Sequence, residues 1–309
     1  MSSRMVLRAM CTATVIAGVI ALGGCTSTET GTAEPDPGVL LPLTAGHDSA
    51  GYIDTTGAWV IDPQYQGALQ FEHDLAPVLT ENGLWGYINK DNVLVIEAQF
   101  QEAWAHSTEE GLARVKVDDL WGYIDTSGAL AIQPQYSDAA GFCDGVAVVQ
   151  GESEEGIGLI DTTGEWVLEP TFSNLGTMCQ GLAPAYDEEQ ALFGYVDING
   201  EWVLEPQFEE AYEFTEDGLA MISVGGLYGF IDMTGATVIE PQFEWASSFG
   251  YGLAPAQLPG AQVGFIDAAG EWSVDPQYEA AGIFFTPYAP VLDGENEAWI
   301  TTDGMLIAP

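Results

Sequence analysis

The sequence predicts an all-β fold of eight repeated units, and three observations carry that prediction. A Gly-aromatic-Ile-Asp block recurs at near-constant spacing, and each unit holds short β-branched or aromatic runs bounded by Gly, Asp and Pro. The 37 Gly and 16 Pro also leave hardly any stretch fit for a long helix. The block starts at Gly51, Gly86, Gly122, Gly158, Gly194, Gly229 and Gly264, with a worn copy at Ala298, and successive starts lie 35, 36, 36, 36, 35, 35 and 34 residues apart. So constant a period marks a repeat architecture in which each unit leans on its neighbours.

The chain opens on a different kind of segment. Arg4 and Arg8 precede an apolar run from Ala9 to Leu22, which ends in Leu22-Gly23-Gly24-Cys25. A positive start followed by an apolar run of about 14 residues reads as a secretory signal over 1–24, because the run falls short of the ~20 residues that span a bilayer. The Leu-Gly-Gly-Cys ending resembles the lipobox of bacterial lipoproteins. That resemblance implies cleavage before Cys25, lipidation of its thiol, and a protein held at the extracytoplasmic face of the cell membrane. Residues 25–37 continue as Thr26-Ser27-Thr28-Glu29-Thr30-Gly31-Thr32-Ala33-Glu34-Pro35-Asp36-Pro37, a polar tether with no apolar period, and the repeat domain occupies 38–309.

Each unit reads as three short strands. The first is a block such as Leu75-Ala76-Pro77-Val78, the second carries Tyr52-Ile53 or its equivalents, and the third runs as Trp59-Val60-Ile61-Asp62-Pro63-Gln64-Tyr65. Asp54-Thr55-Thr56-Gly57 between the second and third strands is a hairpin loop, with the Asp bonding the turn backbone and Gly supplying positive φ. The Pro of the third block is expected to end that strand, since it lacks a ladder donor. Tyr52 and Ile53 point to opposite faces yet both are apolar, so both faces of each sheet must be covered by other units.

Here the chain resembles the WG-repeat family of bacterial β-repeat proteins. Trp85-Gly86 and Trp121-Gly122 keep the signature pair, and the Gly-Tyr-Ile-Asp, Pro-Gln-Phe and Gly-Leu-Ala blocks follow the family pattern across 38–309. Elsewhere the Trp is Ala50, Ile157, Phe193, Tyr228, Val263 or Glu297. The resemblance implies an exported or surface repeat domain without assigned chemistry. Eight three-stranded units of ~35 residues form either a propeller-like ring or an open β-solenoid. The in-phase termini favour an open stack or a ring without a shared strand, and Glu295, Glu297, Thr301 and Asp303 in the last unit read as a polar cap.

Cys143 and Cys179 occupy the same repeat position 36 residues apart, so in an exported protein a disulfide clipping adjacent units is the natural reading. No motif points to catalysis, to a cofactor or to a resident metal. His47, His73 and His106 share no repeat position, and neither a Gly-x-Ser-x-Gly nor a His-Glu-x-x-His pattern occurs. Asp54, Asp125, Asp161, Asp197, Asp232 and Asp267 offer oxygen ligands for Ca²⁺, but without the Asp-x-Asp-x-Asp-Gly loop they read first as turn residues.

Charge excludes whole function classes. With 47 Asp and Glu against 5 Lys and Arg, a net of -42, and no basic residue after Lys116, the chain lacks the cationic cluster that nucleic acid or anionic lipid requires. Contact with the membrane is expected only through the N-terminal lipid. The sequence reading is therefore a non-catalytic, lipid-anchored binding or scaffolding module, monomeric, for protein or glycan partners at the cell envelope. The alternatives are an envelope-associated hydrolase with a carboxylate site and a Ca²⁺-binding structural spacer.

Overall fold

The computed structural model describes residues 38–45, 49–107, 109–151, 156–294 and 296–307. The signal segment, Cys25, the tether, His47 and Glu295 lie outside them. Among the described residues every regular element is a strand, and each pairs antiparallel with its neighbour in sequence.

Unit 2 shows the plan: Gly67–Ala68, Leu75–Leu79, Trp85–Asn89 and Leu94–Phe100 form one sheet in that order. The last three are the strands expected from the repeat. The added first strand, two residues long in most units, is too short to leave a periodic signature. Units 1 and 5 lack it among the described residues: unit 1 has Leu41–Ala45, Ser49–Ile53 and Trp59–Tyr65, and unit 5 has Ala183–Asp187, Leu192–Val196 and Trp202–Phe208, with an isolated bridge from Leu175 to Ala185. Between units 3 and 4 the strand Leu130–Ala139 continues from one sheet into the next, joining the two units in one seven-stranded sheet.

The proline expected to end the last strand lies inside it. Pairing shifts register between Ala50↔Tyr65 and Tyr52↔Ile61, around Pro63, and likewise in the units of Pro134 and Pro170, so the last strand bulges where these prolines sit, and a missing ladder donor is tolerated at a bulge. The bulge brings backbone hard against the signature glycine. A Cβ on Gly122 would stand 2.6 Å from Pro134 N and 2.7 Å from Ile132 O, so only glycine fits there.

The core lies between units rather than within them. Tyr52 and Ile61 of unit 1 pack with Ala76, Val78 and Ile88 of unit 2, and Tyr87, Ile96 and Phe100 of unit 2 pack with Ala113, Val115 and Ile124 of unit 3. A polar latch accompanies four of these shared cores. The buried Tyr52 hydroxyl donates to Leu69 O at 2.8 Å, Tyr87 to Trp104 O at 2.7 Å, Tyr123 to Ala140 O at 2.7 Å and Tyr195 to Tyr212 O at 2.8 Å. Each acceptor belongs to the next unit. Burial pushes these phenols well above their ordinary range, so they remain hydrogen-bond donors.

The chain closes on itself. Leu41, Leu43 and Ile53 of unit 1 share a core with Tyr288, Trp299 and Ile307 of unit 8, and Trp299 Nε1 donates to Pro42 O at 3.0 Å. The architecture is a propeller-like ring of eight units in which no strand is shared between the two ends, the second of the two forms that the in-phase termini favoured, and the open stack is set aside. The polar cap inferred for the last unit is corrected with it. Thr301 is buried and takes the hairpin role of the usual Asp, its Oγ1 accepting from Met305 N at 2.9 Å, while Glu297 faces the junction beside Thr44.

Candidate functional site

The surface open to a partner is built by the last strand of each unit. Residues alternate there between core and solvent, so Val60, Asp62 and Gln64 face outward in unit 1, and Val95, Glu97 and Gln99 do so in unit 2. Glu169, Glu205, Glu240 and Asp275 continue the acidic position into later units, with exposed Val167, Val203 and Val238 beside the first three. The result is a belt of valine and carboxylate over units 1, 2, 4, 5 and 6, with Ala131 and Gln133 at these places in unit 3 and Ser273 in place of the valine in unit 7. Among the described residues the ion pairs are Lys90–Asp74 at 3.1 Å and Lys116–Glu102 at 3.0 Å, so none of these belt carboxylates has a cationic side-chain partner.

The hairpin aspartates are committed to their own turns. Asp54 Oδ1 accepts from Thr56 N at 2.8 Å, Thr56 Oγ1 at 2.6 Å and Ala58 N at 3.1 Å, and Asp125, Asp161 and Asp232 repeat the arrangement. The side-chain hydroxyl of the turn is the main cause that holds Asp54, Asp125, Asp161 and Asp232 below the ordinary carboxylate range, whereas for Asp197 it is the Glu201 N–H. Asp267 accepts from Ala269 N at 2.9 Å and Glu271 N at 3.0 Å. Among the described residues no group of three or more His, Cys, Asp or Glu gathers to hold a metal.

Cys143 and Cys179 form a disulfide with Cα atoms 5.5 Å apart, joining the equivalent turns of units 4 and 5. Hydrogen bonds tie this pair of turns as well as the pair before it, in units 3 and 4. Glu110 Oε1 accepts from Gly145 N at 2.8 Å, and Asp144 Oδ2 accepts from Gly181 N at 3.2 Å.

His73 and His106 each meet a backbone carbonyl, and His73 lies near enough to His106 to help lower its imidazole. His73 Nε2 lies 2.9 Å from Ser107 O, and His106 Nε2 lies 3.2 Å from Asp125 O. His106 stacks on Tyr87 where other units use Phe, and burial is the main cause that lowers its imidazole below the ordinary range. Sequence reasoning missed Arg114. Its guanidinium is buried, donates to Ala139 O at 2.6 Å, and lies 4.4 Å from the Trp104 ring and 5.6 Å from Trp121. The one available signal was its place in Leu112-Ala113-Arg114-Val115, a strand that faces core on both sides. This constellation joins units 3 and 4 and offers no reactive group.

A cavity opens at the junction of units 1, 2 and 8, lined by Pro42, Thr44, Leu69, Pro290, Glu297 and Trp299 among others. It holds one carboxylate, Glu297, whose proton is retained to higher pH through burial.

The repeat can now be compared with known families. The profile of the WG containing repeat family matches residues 51–84, 85–121, 121–150, 157–187, 193–228, 228–258 and 264–296. The chain is a WG-repeat protein. Seven matches cover most of the ring, and the eighth copy, around Trp299, lies past the last match although it forms the closing sheet of this WG-repeat ring. Two solved structures share the fold at low identity. The computationally designed Ika8 protein aligns with a TM-score of 0.55 at 12% identity over 88% of this chain and 96% of its own. A eukaryotic initiation factor aligns at 0.52 and 11% identity over 84% of each chain. The WD40 beta propeller domain of Doa1 aligns at 0.44 and 12% identity over 84% of this chain and 94% of its own. No curated protein matches the chain.

Proposed function

We propose that this WG-repeat ring is a non-catalytic binding or scaffolding module, held by lipid on Cys25 at the extracytoplasmic face of the cell membrane, for protein or glycan partners at the envelope. The belt on the outer strands carries the reading. In five of the eight units it presents one valine and one carboxylate, with no cationic side chain paired to them among the described residues, an arrangement suited to an extended partner that offers basic groups at several points. The same carboxylates keep the exposed strands from pairing edge to edge with another ring. Motif, geometry and charge supply no nucleophile–base pair and no assembled acid–base site.

The test is capture from envelope extracts with the soluble domain, beside a variant carrying Asp62→Gln, Glu97→Gln, Glu169→Gln and Glu205→Gln. The account expects a saturable partner that the variant loses and that salt weakens. Identical capture by the variant, or a hydrolytic turnover abolished by one carboxylate change, would overturn it. Labelling with a fatty-acid analogue tests the anchor: Cys25→Ser must abolish both the label and membrane fractionation.

A further inference from the structure

Unit 3 holds two of the chain's own cations against a carboxylate and two indole rings. Glu102, Lys116 and Trp121 stand side by side across three strands, because Lys116 is the cross-strand partner of both of the others. Lys116 Nζ lies 3.0 Å from Glu102 Oε1 and 5.3 Å from the Trp121 ring. Arg114, two residues back along the strand and so on the same face, lies 4.4 Å from the Trp104 ring.

Unit 6 repeats the carboxylate and the two rings without either cation. Glu210↔Ser223 and Ser223↔Tyr228 are the matching cross-strand pairs, so Glu210 stands in the place of Glu102, Tyr228 in that of Trp121 and Tyr212 in that of Trp104. Ser223 occupies the position of Lys116 and Met221 that of Arg114. Among units 2–8 no other unit pairs an acid at this place with an aromatic residue two positions on; unit 4 has the acid, Asp138, but follows it with Ala140. The two phenols take up the carboxylate instead. Tyr212 OH donates to Glu210 Oε2 at 2.9 Å and Tyr228 OH to the same oxygen at 2.8 Å, with the ring centroids 6.5 Å apart. Burial is the main cause that pushes both phenols up, Tyr228 to about 12, so both keep their protons as donors. Glu210 Oε1 accepts no hydrogen bond among the described residues, and Glu210, Tyr212 and Tyr228 are all half-buried, so the cluster meets solvent.

We propose that unit 6 takes the ammonium group of a partner's lysine side chain against Glu210, Tyr212 and Tyr228, in the place that Lys116 fills in unit 3. An ammonium rather than a guanidinium follows from which place is open. Met221 is buried and fills the position of Arg114, whereas Ser223 leaves the position of Lys116 without a charge or a long arm. The carboxylate oxygen left over by the phenols supplies a charge-assisted hydrogen bond, and the ring faces favour a cation beside it. Because the two phenol bonds already fix Glu210, little side-chain order remains to be lost when the ligand arrives. The inference rests on the proposed binding role only for the source of the lysine.

Titration of the intact protein with Nα-acetyl-lysine N-methylamide at constant ionic strength, followed by isotope-labelled tyrosine ring signals, tests it. Tyr212→Phe and Tyr228→Phe assign the two signals. The expected result is a saturable shift centred on Tyr212 and Tyr228, with binding about tenfold weaker in Glu210→Gln, as loss of a hydrogen bond between charged groups predicts. The glutamine oxygen still accepts from the phenols, so that variant keeps the local fold. Ser223→Lys rebuilds the unit 3 arrangement and is expected to displace both ring signals before any probe is added and to abolish the titration. Shifts that fail to saturate, shifts of equal size at the other tyrosines, or an unchanged titration in either variant would overturn the proposal. The probe is a small molecule, so this titration succeeds or fails independently of capture from envelope extracts.

Discussion

Removing the Cys143–Cys179 bond tests how far the ring depends on ties between units. The bond closes a loop spanning a sequence separation of 36 between units 4 and 5, where Val146, Val148 and Leu159 already share a core with Leu175, Ala183 and Ala185. Cross-linking a loop of that length lowers the entropy of the unfolded chain by an amount worth about 3.8 kcal/mol at 25 °C. For a protein of this size that corresponds to a fall in Tm of roughly 6–7 °C. The paired substitution Cys143→Ser and Cys179→Ser, melted beside the oxidised parent and the parent in reductant, supplies the measurement. The two unbridged forms are expected to melt together, well below the parent, with the far-ultraviolet spectrum of the folded state unchanged. Equal melting of all three forms would mean that units 4 and 5 stay together when the remaining units have unfolded. The loop entropy would then never be released, and the shared-core account would fail.

Other consequences follow from single contacts. Tyr123→Phe keeps the ring and removes the donor to Ala140 O, as Phe230 and Phe265 do naturally, so a loss of about 1–2 kcal/mol in chemical denaturation is expected, and none would show the latch is idle. Gly122→Ala forces a Cβ against Pro134 N and Ile132 O; a loss of about 2 kcal/mol or more is expected, and a neutral result would contradict the close approach. Burial lowers the His106 pKa, so the unfolded chain takes up that proton first. Stability is intact above about pH 6.5 and declines as pH falls toward the folded value, and His106→Phe flattens this limb of the Tm profile; an unchanged limb refutes the assignment. NaCl is expected to raise Tm by screening a net charge of -42, with Ca²⁺ at matched ionic strength adding nothing further; a flat salt response, or a large effect particular to Ca²⁺, would count against the belt and turn readings.

Much of this architecture was written in the period of the chain, because each unit repeats the same core demands. Tyr52, Tyr87, Tyr123 and Tyr195 recur since each must bury a ring and reach the next unit's carbonyl, and Gly51 to Gly264 recur since each lies under a bulge. The first strand of each unit was not legible. A pair such as Gly67–Ala68 is shorter than any hydrophobic period, and only its partner across the sheet defines it. Proline misled for a related reason: Pro63 reads as a stop until the bulge that accommodates it is seen. Closure was hidden because the junction replaces rather than repeats the pattern. Trp299 stands where Tyr or Phe is usual and turns its indole to Pro42, and Thr301 substitutes for Asp while keeping the turn, so unit 8 looked like a cap. On the surface, the outward direction of Asp62 and Glu97 is seen only in the folded last strand, where residues alternate between core and solvent.

The most direct test of ring closure is a distance between the two ends of the repeat array. Spin labels on Val60→Cys and Leu306→Cys, in a Cys25→Ser background, flank Trp59 and Ile307, which share the junction core. Sheets packed at roughly 10 Å hold the labels within about 30 Å if units 1 and 8 are neighbours, and separate them by about 70 Å if the units form an open stack. A narrow distribution at the short distance is the expected outcome, independent of protein concentration. A population at the long distance, or a short distance that vanishes on dilution, would contradict a closed ring.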